Sequence, residues 1–228
     1  MLRPLDVELY PASLDRADYA MIGLHGRNAN KHAFFPFVRQ MGFLHTRWIL
    51  PSAPFAVSAA PDVRWWFDRE TDNRDEIAES RAAIMQLIDA QIGNGIAAEN
   101  IFITGFSQGA VMALDTALRY PLRLGGVVAL SGYLAHPDLL GSERHVANAR
   151  VPVFLAHGTR DTTLTVDAGR DAAAVMREHA YDVEYREYAT GHRISTAELR
   201  DIRAFLHRHM YGVQIDDPRM RDAHIVQF

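Results

Sequence analysis

Ile101–Gly109 reads I-F-I-T-G-F-S-Q-G, and this stretch decides the fold. An apolar, β-branched run leads into Gly105. Gln108–Arg119 then continues with a helical pattern that stops before Pro121. The spacing G-x-S-x-G at Gly105, Ser107 and Gly109 suits a strand that turns abruptly into a helix. A serine at the apex is forced into a strained backbone conformation, and small residues two before and two after let strand and helix pass closely. Such an elbow lifts the Ser107 hydroxyl clear of the sheet edge. It also aims the first amides of the helix at whatever the hydroxyl attacks.

Working outward, short apolar runs alternate with longer helical patterns. Strands are expected at 5–10, 18–24, 46–50, 100–105, 126–130, 151–156 and 183–188. Helices are expected at 75–92, 108–119, 166–179 and 195–209, and at 31–41 with a kink or split at Pro36. The segment 55–72, with Pro61 and Trp65-Trp66-Phe67, reads as irregular. Uninterrupted Val/Ile/Leu runs in the strands predict an α/β fold with a mostly parallel central sheet and helices on both faces. One domain over 1–210 followed by a tail at 211–228 is the simplest division.

Composition narrows the chemistry. Of 228 residues, 48% are hydrophobic and 23% charged, with a net charge of −4. These values fit a globular chain and give no electrostatic footprint for nucleic acid or an anionic membrane surface. The absence of cysteine excludes disulfides, thiolate metal sites and a cysteine nucleophile. No histidine pair has metal-ligand spacing with a carboxylate, so neither a metal nor another cofactor is expected. Met1–Arg16 lacks the apolar core of a secretory signal, and no run approaches the roughly 20 apolar residues of a spanning helix. A soluble cytoplasmic protein without stable membrane anchoring is expected.

A serine needs a base to take its proton and a third group to hold that base. With the nucleophile on such an elbow, the chain order should be serine, acid, histidine. Val151–Asp161 (V-P-V-F-L-A-H-G-T-R-D) is a buried strand running into a loop with Asp161. Tyr185–Arg193 (Y-R-E-Y-A-T-G-H-R) is another strand end, with His192 in its loop. Asp138 reads as a turn residue and Asp167 as the start of a helix. His157 reads as support for the acid loop, and His207 and His209 as charge compensation late in a helix. Oxyanion donors are expected from the backbone amides of Gln108, directly after the serine, and Arg27, in the loop Leu24-His25-Gly26-Arg27-Asn28.

With these motifs assembled, the chain resembles the phospholipase/carboxylesterase group of α/β-hydrolases, which includes the acyl-protein thioesterases. The resemblance runs from His25-Gly26 to the last helix near His209. It rests on P-S-A-P at Pro51–Pro54, W-F-D at Trp66–Asp68, G-F-S-Q-G-A at Gly105–Ala110, V-V-A-L-S-G-Y at Val127–Tyr133, H-G-x-x-D ending at Asp161, and Gly191-His192. It implies an α/β-hydrolase fold and a metal-independent esterase with Ser107 as nucleophile, Asp161 as acid and His192 as base. It also implies Arg27 and Gln108 as oxyanion amides, with a small-molecule ester as substrate. The group's first loop is usually H-G-x-G-D, whereas this chain has His25-Gly26-Arg27-Asn28-Ala29.

Short to medium acyl esters are expected, with lysophospholipids or thioesters within the same chemistry. An amide or peptide hydrolase with the same triad, and a non-catalytic binding protein on this fold, are the alternatives. The segment 55–72 reads as a flap over an apolar groove, with Trp66 and Phe55 as candidate pocket residues. Most of the other aromatics there read as core. Arg27 and Arg64 read either as solvated or as partners of an acidic substrate group. The apolar end Ile225-Val226-Gln227-Phe228 is a candidate for docking on the core or on a second subunit, which would make a homodimer.

Overall fold

A computed structural model describes residues 4–12, 17–57, 59–71 and 73–212. The tail beyond Gly212, with the docking segment 225–228, lies outside the described residues. The strands are β1 (Val7–Tyr10), β2 (Tyr19–Leu24), β3 (Thr46–Pro51), β4 (Phe55–Val57), β5 (Ala60–Trp65), β6 (Ile101–Phe106), β7 (Gly126–Leu130), β8 (Val153–Gly158) and β9 (Val183–Tyr188). The helices are α1 (Phe35–Met41), α2 (Arg74–Gly93), α3 (Gln108–Arg119), α4 (Leu140–Glu143), α5 (Val166–Glu178) and α6 (Thr196–Tyr211). A seven-stranded sheet has the order β1-β3-β2-β6-β7-β8-β9. Only β1 runs antiparallel to its neighbour, at one edge; the remaining pairings are parallel.

Alternation along the central strands divides the core in two. Ile103, Val127 and Leu155 point to one face, where α2, α3 and α5 pack through Ile84, Leu114 and Met176. Their sequence neighbours Phe102, Val128 and Phe154 point to the other, under α1 and α6, where Phe37, Phe205 and Leu206 meet them. Period-2 side-chain direction with both faces apolar is why these strands read as continuous hydrophobic runs.

Two local outcomes refine the sequence reading. Pro36 does split the segment 31–41: a 3-10 turn at Lys31–Phe34 gives way to α1, with the proline in its first turn. The stretch 55–72 is not irregular throughout. It holds the β4–β5 hairpin, which pairs Phe55 with Trp65 and Ala56 with Arg64 and shifts register after Ala56. The hairpin stands apart from the main sheet, and Pro61 is tolerated because it lies outside the register pairs of this two-stranded ribbon.

Candidate active site

Loops from the carboxyl ends of β2, β6, β8 and β9 meet on one side of the sheet. This is where open parallel sheets build their sites. The turn after β6 is as sharp as its spacing demands. Ser107 has φ 55° and ψ −121°, a region that penalises a side chain. Its N–H donates to the carbonyl of Leu130 at 2.8 Å, and its own carbonyl accepts from Ala110 N at 2.9 Å. The glycines are steric necessities. A Cβ on Gly105 would lie 2.2 Å from the carbonyl oxygen of Gly109, and one on Gly109 would lie 2.1 Å from that of Leu24. No side chain fits such gaps, so β6, α3 and the end of β2 come together only through these two residues.

Asp161 and His192 arrive on loops laced to each other. Thr159 N–H donates to the carbonyl of Tyr188 at 2.8 Å, and Arg160 N–H to that of Thr190 at 2.9 Å. A Cβ on Gly158 would approach the carbonyls of Thr190 and Gly191 to 2.5 Å, which is the physical reason for H-G in this strand. Two atoms of Asp161 divide the work. Oδ1 accepts the N–H groups of Thr163 and Leu164, both at 2.9 Å. Oδ2 lies 2.6 Å from Nδ1 of His192, which places the Nδ1 proton between them and leaves Nε2 as the ring's acceptor. The Asp161 side chain is fully buried, whereas that of His192 keeps 19% exposure. The ring of Phe106 packs on the imidazole, with 4.7 Å between centroids.

His157 is buried behind the acid. Its Nε2 lies 2.8 Å from the carbonyl of Leu164 and 3.6 Å from Asp161 Oδ2. Burial lowers its pKa, and its Nε2 donates to the Leu164 carbonyl. It supports the loop, as its position suggests, through the carbonyl of Leu164. Asp138 and Asp167 sit in the first turns of a short 3-10 helix and of α5. His209 sits in the last turn of α6, and its ring packs on Phe205.

The loop after β2 resolves the departure at Arg27-Asn28-Ala29. Asn28 has φ 62°, the left-handed conformation for which glycine is best suited and which asparagine tolerates best among other residues. It therefore stands where the group's glycine would be. The loop is pinned to β5, with Asn28 N–H donating to the Arg64 carbonyl at 2.8 Å and Arg64 N–H to that of Ala29 at 3.1 Å. His25 is wholly buried. Its Nδ1 lies 2.7 Å from the carbonyl of Gly26, and its Nε2 accepts from Ala53 N–H at 3.0 Å. Burial pushes its pKa down to about 4, with a smaller contribution from the nearby Arg64 cation.

The side chain of Gln108 is a structural clamp. Its Oε1 accepts from Trp66 N–H at 2.8 Å, and its Nε2 donates to the carbonyl of Phe67 at 2.6 Å. Ser80 Oγ donates to the Trp66 carbonyl at 2.6 Å. Trp66 Nε1 donates to the His25 carbonyl at 2.8 Å. The β5 end is thus fastened to both the elbow and the first loop.

A cavity of about 250 Å³ opens over this constellation, lined by Arg27, Phe67, Ser107, Gln108, Tyr133 and His192 among others. Ser107, His192 and the loop of Arg27 therefore share one space. Trp66 and Phe55 do not line it. The Trp66 ring is buried and held by its bond to His25, and the wall on that side is Phe67. The sequence left Phe67 among the aromatics of this segment that read as core, and did not single out Arg69, Thr163 or Leu164 as wall residues. Their signal was adjacency, since Phe67 and Arg69 sit in and just after W-F-D, and Leu164 lies three residues after Asp161. An adjoining groove of about 410 Å³ shares Arg69, Tyr133 and Leu164 and continues over Leu134, Ala168 and Val175. Arg64 turns away from solvent-facing chemistry, donating from Nη1 to the Ala53 carbonyl at 3.0 Å.

A parallel sheet with helices on both faces, and a serine elbow facing a histidine–aspartate pair delivered by later strands, define an α/β-hydrolase. The sequence profile of the phospholipase/carboxylesterase family matches residues 11–210, and the chain belongs to that family. An acyl-protein thioesterase 1 from Eremothecium gossypii is 34% identical over 212 residues, covering 83% of this chain and 87% of its own. Carboxylesterase SOBER1 from Arabidopsis thaliana is 29% identical over 207 residues, covering 84% and 91%. Among solved structures, esterase PE8 superposes with a TM-score of 0.83 at 26% identity, covering 90% of this chain and 99% of that one. The protein is therefore a hydrolase of the carboxylesterase type. No described helix is long and apolar enough to cross a membrane, and no cluster of metal-ligating side chains occurs among the described residues.

Proposed function

We propose that the protein hydrolyses carboxylic esters or thioesters through an acyl-enzyme, with Ser107 as nucleophile, His192 as base and Asp161 as its orienting acid. The observation that carries this reading is the 2.6 Å contact between His192 Nδ1 and Asp161 Oδ2, beside a serine held at positive φ in the same cavity. Nε2 of His192 takes the hydroxyl proton as Ser107 attacks the acyl carbon, and Asp161 stabilises the imidazolium. The backbone amides of Arg27 and Gln108 receive the oxyanion. His192 then returns its proton to the leaving alcohol or thiol, and activates the water that frees the acid. The apolar groove beyond Tyr133 and Leu164 suits a short to medium acyl chain. Names of the relatives, carboxylesterase and acyl-protein thioesterase, favour esters and thioesters over amides.

The test is hydrolysis of p-nitrophenyl esters from acetyl to palmitoyl by the wild type and Ser107→Ala. Loss of turnover by a factor of ~10⁴ or more supports the assignment. Undiminished turnover in the variant overturns it.

A further inference from the structure

The cavity above Ser107 has a charge that its reaction does not require. Arg27, from the loop after β2, and Arg69, from the turn after β5, both line it, and no aspartate or glutamate side chain does. Asp161, the carboxylate of the site, is sealed beneath the surface and occupied by His192 and two backbone amides. Some arginines elsewhere are matched to carboxylates, while others, such as Arg64 and Arg160, bond to backbone carbonyls. Arg81 and Arg119 flank Asp115 at 2.9 and 2.7 Å, and Arg170 meets Glu187 at 2.7 Å. Neither Arg27 nor Arg69 forms an ion pair among the described residues. A chain of net charge −4 thus keeps two uncompensated cations at the mouth of its reactive cavity.

Arg69 is also held in place. Its Nη2 donates to the Thr163 carbonyl at 3.0 Å, which uses one of five guanidinium N–H donors and leaves the rest available. It borders both the reactive cavity and the adjoining, mostly apolar groove, whose lining includes one carboxylate, Asp171. A guanidinium fixed by one bond loses less freedom on gripping a planar or tetrahedral anion, which it can hold with two parallel bonds.

Resting on the serine-hydrolase reading, we propose that the site selects esters bearing an anionic oxygen group, a carboxylate or phosphate, recognised by Arg27 and Arg69. The anion sits either on the acid part, as in the half-ester of a dicarboxylic acid, or on the alcohol part, as in an acylated phospho-alcohol. The apolar groove takes the uncharged chain.

Two matched pairs test this. Mono-p-nitrophenyl adipate is compared with p-nitrophenyl hexanoate, and a 1-acylglycerol 3-phosphate with the corresponding 1-acylglycerol. The quantity read is the ratio of kcat/KM, charged over neutral, within each protein, so that any general loss of activity cancels. The wild type is expected to favour the charged member by about tenfold at low salt, the discrimination expected of a charge-assisted hydrogen bond at a partly exposed site. Arg69→Gln and Arg27→Gln should each reduce that ratio, and added salt should reduce it in the wild type. A preference confined to the adipate pair places the anion on the acid part, and one confined to the glycerol pair places it on the alcohol part. Ratios at or below one in both pairs, or ratios unchanged in both variants, overturn the inference while Ser107-dependent hydrolysis of the neutral esters stands. Failure of the wild type on all four esters, or turnover surviving Ser107→Ala, overturns the serine-hydrolase reading and this inference with it.

Discussion

His25 gives the sharpest quantitative prediction. Its imidazole is buried, accepts a bond from Ala53 N–H through Nε2, and so must stay neutral in the folded protein. Its pKa falls from an ordinary 6.5 to about 4. The folded state therefore binds fewer protons than the unfolded chain between these values, and stability rises with pH across that window. The contribution is complete above pH 6.5 and is lost as pH falls toward 4. At pH 5 the unfolded histidine is almost wholly protonated and the folded one almost wholly neutral. The ratio of the two binding polynomials is about 30, or about 2 kcal/mol relative to pH 7.5. The variant His25→Gln removes the titration and keeps a side-chain acceptor. Urea denaturation of both proteins at pH 7.5 and pH 5 isolates the term, because every other titrating group is common to the two. Wild type is expected to lose about 2 kcal/mol more than the variant over this interval. For a domain of this size that difference corresponds to about 4–8 °C in Tm. Parallel loss in the two proteins would show that His25 is not held neutral by burial, and the reasoning would fail.

Further predictions follow from single contacts. Gly109→Ala pushes a methyl group into the Leu24 carbonyl, 2.1 Å from the ideal Cβ position, and should destabilise by more than about 3 kcal/mol; soluble expression with wild-type Tm would refute the packing argument. Asn28→Gly should retain stability and ester turnover, whereas Asn28→Val, with a β-branched side chain at φ 62°, should lose about 1–2 kcal/mol by denaturant titration. Glu198, buried at the start of α6, has its pKa pushed up to about 8 by burial, with Asp201 adding to the effect. Its folded pKa lies above the unfolded value, so stability is complete below pH 4.5 and is lost as pH rises through 8. Glu198→Gln should then gain on wild type in Tm as pH climbs over that range, and a constant difference would count against a protonated Glu198.

Much of the fold was legible because two independent signals coincided. Gly105-x-Ser107-x-Gly109 marked a strand, a turn and a helix at once, and α3 begins directly after the elbow and ends before Pro121, as that spacing indicated. The strands of the sheet interior were equally visible, since burial on both faces leaves unbroken apolar runs. What was hidden lay at the periphery. The β4–β5 hairpin has a proline, a register shift and half-exposed residues, so neither alternation nor an apolar run marks it. The position of Trp66 was illegible for another reason. An aromatic in a loop near Ser107 is as consistent with a cavity wall as with a buried anchor, and only the bonds at its N–H, carbonyl and indole nitrogen decide for the anchor. The pairing of Asp161 with His192 depends on contacts between loops distant in sequence, which chain order suggests but does not measure.

The loop after β8 carries a consequence for how this enzyme can diversify. Asp161 holds Thr163 and Leu164 by their main-chain N–H groups, and His157 holds Leu164 by its carbonyl. None of these bonds depends on which side chains occupy 163 and 164, although both positions line the reactive cavity. Proline apart, the cavity wall at these positions can therefore be rewritten by substitution without loosening the contact between Asp161 and His192. Positions 163 and 164 are accordingly ones where selection, natural or in a library, can search new cavity walls at small risk to the loop that holds Asp161.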